Sequence, residues 1–226
     1  LSKTILVVDD EKNIADILGF NLKKEGYQVL TAYDGEQALA VYEEAAPDLI
    51  LLDVMLPKLS GFDVCNQIRQ KDFKTPIIML TARSEDTEKI HGLELGCDDY
   101  ITKPFVMQEV MLRVKANIRR TAPDRQAQDI KTEGIVVDTE RYDVYINGKC
   151  AELTQREFEL FSFLYAQPGR VVSREELLRR VWQYDYLGDL RTVDVTVRRL
   201  RAKFEQAGAT TEYIMTKRGV GYYYEG

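Results

Sequence analysis

The chain has 226 residues and a formal net charge of −6, room for one large or two modest domains that each bury a core. The acidic balance argues against indiscriminate nucleic-acid binding. No apolar run approaches the roughly 18 residues of a membrane span, and no signal-peptide pattern opens the sequence. The expectation is a soluble, unexported protein with no membrane association. Three cysteines, Cys65, Cys97 and Cys150, are widely spaced beside a single histidine, so neither a disulfide framework nor a zinc site is expected and a reducing cytoplasm fits.

Charge is unevenly distributed. Residues 1–120 hold 15 basic and 20 acidic side chains, net −5, whereas residues 191–218 hold 7 basic and 3 acidic, net +4. The positive charge is local and lies near the C-terminus.

From the N-terminus, short apolar runs alternate with amphipathic stretches. The runs are Ile5 to Val8, Gln28 to Ala32, Leu49 to Leu52, Ile77 to Leu80 and Tyr100 to Thr102, each followed by helical periodicity. Five such units predict an α/β fold, a parallel sheet covered on both faces. Functional groups in such sheets gather beyond the carboxyl ends of the strands. The first strand ends at Asp9 and Asp10, the third at Asp53, the fourth at Thr81, and the fifth leads into Lys103-Pro104.

Three carboxylates brought together repel and lose hydration, so they stay ionised only beside a counter-charge. Oxygen donors without histidine or cysteine select a hard cation, and an open site of a few carboxylates suits Mg²⁺ better than Ca²⁺. A lysine ammonium and a threonine hydroxyl on the same rim read as partners for phosphoryl oxygens. The bland alternative is that Asp10 simply caps the following helix. Glu11 reads as a first-turn helix residue favourable to the dipole.

The strings "VVDDE" at 7–11, "LLDVMLP" at 51–57, "LTAR" at 80–83 and "DDYITKPF" at 98–105 resemble the receiver domain of bacterial two-component response regulators, a flavodoxin-like or CheY-like (βα)5 fold. The resemblance implies that Asp53 accepts a phosphoryl group from a histidine kinase. It implies that Asp9, Asp10, Asp53 and the Met55 backbone carbonyl hold Mg²⁺. Lys103, before a cis Pro104, would contact the phosphoryl group, and Thr81 and Tyr100 would form the switch. An acyl phosphate adds about two negative charges, so its acceptor belongs between metal and ammonium; Asp53, on the central strand, has both neighbours. Pro57 and Gly61 demand a turn that keeps that side open. Met55 and Arg83 flank the water path implied by the family, and neither is a ready general base, so a long-lived phosphoryl group is expected.

Residues 121–132, "TAPDRQAQDIKT", are polar and aperiodic and read as a linker between residues 1–120 and 133–226. Beyond it "GIVVD", "YDVYING" and "KCAEL" alternate as short antiparallel strands, with Asn147-Gly148 a hairpin turn. Capping boxes at Thr154/Glu157 and Ser173/Glu176 open two helices. A third helix over Arg191–Glu205 buries Val193, Val197, Leu200 and Phe204 and surrounds them with charge. A hairpin whose tip carries Lys217, Arg218, Gly219 and Gly221 follows. A basic helix beside a basic hairpin suits a DNA groove and its phosphates.

"ELTQREFELF", "RTVDVTVRRLR" and "RGVGYYY" resemble the winged helix-turn-helix effector domain of the OmpR/PhoB subfamily, an α+β fold. By that resemblance Asp194, Val195 and Arg199 lie nearest the bases. Arg191, Thr192, Thr196, Arg198 and Arg201 lie toward phosphates, and Arg218 reaches the minor groove. Trp182 is more often core than contact, although in the family its indole N–H meets a phosphate. The loop 183–189 corresponds to a segment that touches RNA polymerase. The resemblance also implies a homodimer formed on activation, through pairs Lys89 with Glu109, Asp99 with Arg113 and Asp98 with Arg120. The reading is a phosphorylation-activated, non-enzymatic transcriptional regulator binding promoter DNA at tandem half-sites. A Mg²⁺-dependent phosphohydrolase with Asp53 as nucleophile is the alternative from another class; it lacks an acid or base near the acceptor. A second alternative is a DNA binder whose receiver dimerises without phosphorylation. "FNLKKEGY" and "GVGYY" further resemble regulators of phosphate starvation and cell-wall homeostasis in Gram-positive bacteria.

Overall fold

Unbroken apolar runs can be strands only if both faces of their sheet are covered, and that is how the first half is built. In the computed structural model, which describes residues 2–82, 92, 95–118, 134–139, 141–182 and 190–225, the chain divides into two compact units, Leu1–Thr121 and Ala122–Gly226. Arg83, Lys89, Arg120, the 121–132 linker and the 183–189 loop lie outside the described residues.

The first unit is a parallel sheet in the order β2-β1-β3-β4-β5. Its strands are β1 (Thr4–Val8), β2 (Gln28–Ala32), β3 (Leu49–Asp53), β4 (Ile77–Ala82) and β5 (Asp99–Lys103), each within a residue or two of the expected run. Ile5 to Val8 and Leu49 to Leu52 are fully buried. Helices α1 (Lys12–Lys24) and α4 (Met107–Ile118) supply Leu18, Leu22, Val110 and Val114 against Ile5, Val7, Leu49, Leu51, Ile78 and Leu80. Helices α2 (Gly35–Ala45) and α3 (Gly61–Arg69) pack against each other, and α2 also packs on β1 and β2. Strand order reverses between β1 and β3, which places the crevice of a doubly wound sheet beside Asp9 and Asp53.

Local geometry corrects two expectations at the start of α1. The N-cap is Glu11, with no side-chain cap, and Asp9 Oδ1 accepts from the Glu11 N–H at 3.0 Å. Asp10 is therefore not the cap, and Glu11 precedes the first turn rather than occupying it. After β3 the chain must turn sharply into α3. Gly61 makes that possible: its N–H donates to the Val54 carbonyl at 2.9 Å, and a Cβ there would lie 2.1 Å from the Asp53 carbonyl oxygen. Ser60 and Asp63 close a capping box behind it.

The second unit opens with an antiparallel sheet of β6 (Ile135–Asp138), β7 (Asp143–Ile146) and β8 (Lys149–Cys150). Asn147 and Gly148 both have positive φ, 48° and 84°, as the tight hairpin requires. Helix α5 (Gln155–Tyr165) starts at the Thr154/Glu157 capping box. Helix α6 (Arg174–Leu177) is capped by Ser173 and continues as a π-helical turn, Leu178–Trp182. Helix α7 (Arg191–Gln206) then leads to a wing of β10 (Ile214–Lys217) and β11 (Gly221–Tyr224), with β11 also paired to the short β9 (Val172–Ser173). Lys217 and Gly221 end the strands, so the tip is Arg218, Gly219 and Val220. One core gathers Phe161, Leu164, Leu177, Val193, Leu200, Phe204 and Tyr222 around Trp182.

Within this core sits an ionised cluster that ties two helices. Glu157, fully buried, accepts from the Thr154 N–H at 2.7 Å with Oε2. The same oxygen meets Lys203 Nζ at 2.8 Å, and Oε1 lies 2.6 Å from Arg199 Nη2. Burial would push this carboxyl up, but the Arg199 and Lys203 charges, with hydrogen bonds from Lys203 and the Thr154 N–H, hold it below the usual carboxylate range.

Two outcomes are expected in urea unfolding followed by the emission of Trp182, the only tryptophan and buried in this core. Glu157→Ala leaves two cations without their carboxylate and should cost about 3 to 5 kcal/mol. Gly221→Ala, whose Cβ would sit 1.9 Å from the Val172 carbonyl oxygen, should cost about 2 kcal/mol or more by forcing β9 and β11 apart.

Candidate functional site

Four strand ends deliver the site of the first unit. β1 stops at Val8, β3 at Asp53, β4 at Ala82 and β5 at Lys103, and the parallel register puts Thr81 opposite Thr102. Asp9 and Asp53 are buried, Asp10 is exposed, and one carboxylate oxygen from each of the three lies within 4.8 Å of the others. Lys103 Nζ bridges two of them, 2.8 Å from Asp9 Oδ2 and 2.7 Å from Asp53 Oδ2. The other Asp53 oxygen accepts from the Met55 N–H at 3.3 Å. The Lys103-Pro104 peptide is cis. Thr81 is buried near the carboxyl end of β4, whereas Tyr100, also buried, is the register partner of Met79, two positions further from the rim. The residues expected at the site, Asp9, Asp10, Asp53, Met55, Thr81 and Lys103, thus come together on one rim, with Tyr100 lower on β5.

Electrostatics here are a contest between burial and charge. Burial raises the Asp53 carboxyl above its ordinary range and outweighs the lowering by Lys103, while the Asp9 charge raises it further. Burial would lower the Lys103 ammonium, but hydrogen bonds from it to Asp53 and Asp9 raise it instead. Among the described residues, one ammonium for three carboxylates leaves the cluster short of positive charge. An all-oxygen donor set with one exposed carboxylate fits a hard divalent cation that keeps part of its water.

Other expected residues fall elsewhere, for definite reasons. Asp98 is buried and binds Arg69 Nη2 at 2.8 Å while accepting from the Ile77 N–H at 2.9 Å; it fastens β4 and α3 inside its own chain, and its expected dimer partner Arg120 lies outside the described residues. Asp99 and Arg113 do pair, at 2.7 Å, but within one chain, where Arg113 also holds Glu109 at 2.7 Å. Arg69, not singled out from the sequence, spans to the Gly96 carbonyl at 2.8 Å as well.

On helix α7 the expected DNA contacts separate into three groups. Arg191 and Arg198 are exposed, as is Arg218 at the wing tip. Thr192, Val195 and Thr196 are buried, against expectation; the Thr196 hydroxyl donates to the Thr192 carbonyl at 2.8 Å, so the helix itself meets its bonding need. Arg199, Asp194 and Arg201 are engaged inside the unit. Arg199 is held by Glu157, Asp194 by Arg174 at 2.6 Å, and Arg201 donates to the Ile214 carbonyl at 3.0 Å. Trp182, 1% exposed, belongs to the core, which favours its core reading over a phosphate contact. Glu157, Arg174 and Tyr222 were not legible as functional. Arg199 and Lys203, four apart on one flank of α7, were the signal for a buried acid facing them.

Residues 5–115 match the family described as response regulator receiver domain, and residues 148–224 match transcriptional regulatory protein, C terminal. Among solved structures, the response regulator DrrB of Thermotoga maritima, an OmpR/PhoB homologue, is 34% identical over 100% of both chains, with a TM-score of 0.54. A RitR mutant is 32% identical over 100% of both chains, with a TM-score of 0.76. The receiver domain of Francisella response regulator 1452 is 36% identical over 53% of this chain and 99% of its own, with a TM-score of 0.51. Among the described residues no helix is long and apolar enough to cross a membrane. A receiver sheet and a winged helix on one polypeptide place the chain among the response regulators of the OmpR/PhoB type, two-component transcription factors that bind DNA and are not enzymes.

Proposed function

We propose that this regulator works in the cytoplasm, takes a phosphoryl group from its cognate sensor histidine kinase onto Asp53, dimerises through its receiver, and binds tandem promoter half-sites beside RNA polymerase. The observation that carries the first step is the Lys103 ammonium lying between Asp9 and Asp53. An Asp53 oxygen attacks phosphorus as the donor's nitrogen leaves, and Lys103 can exchange a carboxylate partner for a phosphoryl oxygen without leaving the pocket. Asp9, Asp10, Asp53 and the Met55 carbonyl would hold Mg²⁺, which when bound neutralises charge on the transferred group. Thr81 then moves toward the phosphate and Tyr100 repacks with it. Met55, 67% exposed, brings no general base to the acceptor, so the phosphoryl group is long-lived.

The second half of the proposal rests on exposure. Arg191, Arg198 and Arg218 are exposed cations on the helix and wing tip, suited to phosphates and a minor groove. For the dimer, Leu112 and Val106 are exposed apolar groups on and beside α4, next to the Glu109–Arg113–Asp99 chain of charges. A two-fold would let those charges re-pair across the interface.

Incubation with acetyl phosphate and Mg²⁺ should retard the wild-type chain on Phos-tag gels and leave Asp53→Asn unshifted; a shifted Asp53→Asn removes Asp53 as acceptor. Sedimentation with beryllofluoride should show a dimer, and monomer alone removes the dimer.

Stability carries a further signature. Because the folded Asp53 carboxyl is raised, its ionised form opposes folding above that value, and the opposition vanishes below the unfolded value. Asp53→Asn should therefore raise Tm at neutral pH, by an increment that shrinks as pH falls through the folded value. Mg²⁺ should raise the wild-type Tm and have little effect on Asp10→Asn.

A further inference from the structure

Two side chains expected to face DNA, Asp194 and Arg201, are engaged with the wing instead. They stand seven residues apart on α7, two turns along one flank. Asp194 Oδ1 accepts from the Tyr222 hydroxyl at 2.6 Å and from Arg174 Nε at 2.6 Å. Arg174 Nη2 also donates to the Tyr222 oxygen at 3.2 Å, with its guanidinium 4.8 Å from the ring centroid. Two turns on, Arg201 donates to the Ile214 carbonyl at 3.0 Å and to the Thr216 hydroxyl at 2.9 Å. Asp194 is thereby tied to β11 and Arg201 to β10. Thr216 and Tyr222 are direct register partners across the hairpin, so both ties meet on one rung of the wing, and the Arg201 guanidinium lies 6.0 Å from the Tyr222 ring.

A two-stranded hairpin has little stability of its own, and pairing with the two residues of β9 adds only one further short edge. The position of the exposed tip, Arg218, is therefore set by what grips the hairpin below it. The Tyr222 hydroxyl both donates and accepts in this arrangement, which an ionised Asp194 and a charged Arg174 require. Burial raises the Tyr222 phenol, and its bond to Asp194 raises it further, so the hydroxyl keeps its proton. Pairing with Arg174 also neutralises Asp194, which would otherwise repel a phosphate backbone.

We propose that Tyr222, bonded to Asp194 and Arg174, is a positioning residue that locks the wing to the recognition helix, so that the helix and the Arg218 tip engage DNA as one rigid reader. Asp194 and Arg201 serve this lock rather than bases or phosphates. The proposal rests on the reading of the second unit as a helix-and-wing DNA binder; the lock itself is testable without DNA.

The first measurement uses the full chain with spin labels at the exposed positions Ala202 and Val220. Wild type should give one narrow distance distribution, and Tyr222→Phe and Asp194→Asn should each broaden it. An unchanged distribution in both variants overturns the lock. The second uses a duplex selected by the wild-type chain from a randomised pool. Arg218→Ala should weaken binding about tenfold in the wild-type background and less than twofold beside Tyr222→Phe. A purely structural role for Tyr222 predicts the same loss in both backgrounds, and that result overturns the proposal. If Arg218→Ala weakens neither background while the distances broaden, the lock stands and the minor-groove reading of Arg218 fails.

Discussion

A single ammonium shared by two buried carboxylates organises the first unit. The sheet is apolar on both faces, so its polar groups can collect only where the strands end, and there three acids converge with one lysine. Lys103 makes that crowding tolerable without cancelling it. The remaining negative charge suits a hard cation, and in the proposed phosphoryl transfer the same lysine would be a ready partner for the arriving group. The backbone is fitted around this arrangement: the Asp53 carbonyl approaches Gly61 too closely for any side chain, which lets α3 begin directly beside Asp53.

The second unit solves a different problem, the fixing of a helix whose outer face must stay available. Its inner stripe packs in the aromatic core, and each flank is then pinned by charge. On one side Glu157 holds Arg199 and Lys203; on the other Asp194 and Arg201 reach the wing. Glu157 serves both ends, since its Oε2 caps α5 and meets Lys203 while its Oε1 faces Arg199. Buried ion pairs add little net stability over apolar packing, but they fix orientation, which the groove-reading role proposed for this helix would need.

Most of the first unit was legible in the sequence because its signals are local. Consecutive apolar residues marked the strands within a residue or two, and strand ends named the rim. What failed to read was pairing between distant segments. Asp98 and Asp99 stand side by side and look alike as acids, yet one turns to Arg69 on α3 and the other to Arg113 on α4. On α7 the apolar stripe was read correctly from its period, whereas Arg198 and Arg199, adjacent and chemically identical, differ because a helix turns 100° between them. One is exposed and the other meets Glu157, forty-two positions away. Periodicity finds the buried face; it does not say which flanking charges have a partner waiting on another element.

The pinning of α7 along both flanks has a consequence for how such a protein can change. Positions 193, 197, 200 and 204 carry the packing, and positions 194, 199, 201 and 203 carry the bracing, so altering either set disturbs the frame. Arg191 and Arg198 are exposed on the same helix. If that outer face reads DNA as proposed, changes at exposed positions would alter what the helix presents while the frame keeps its angle to the wing, and a duplicated gene could acquire a new target with its fold intact.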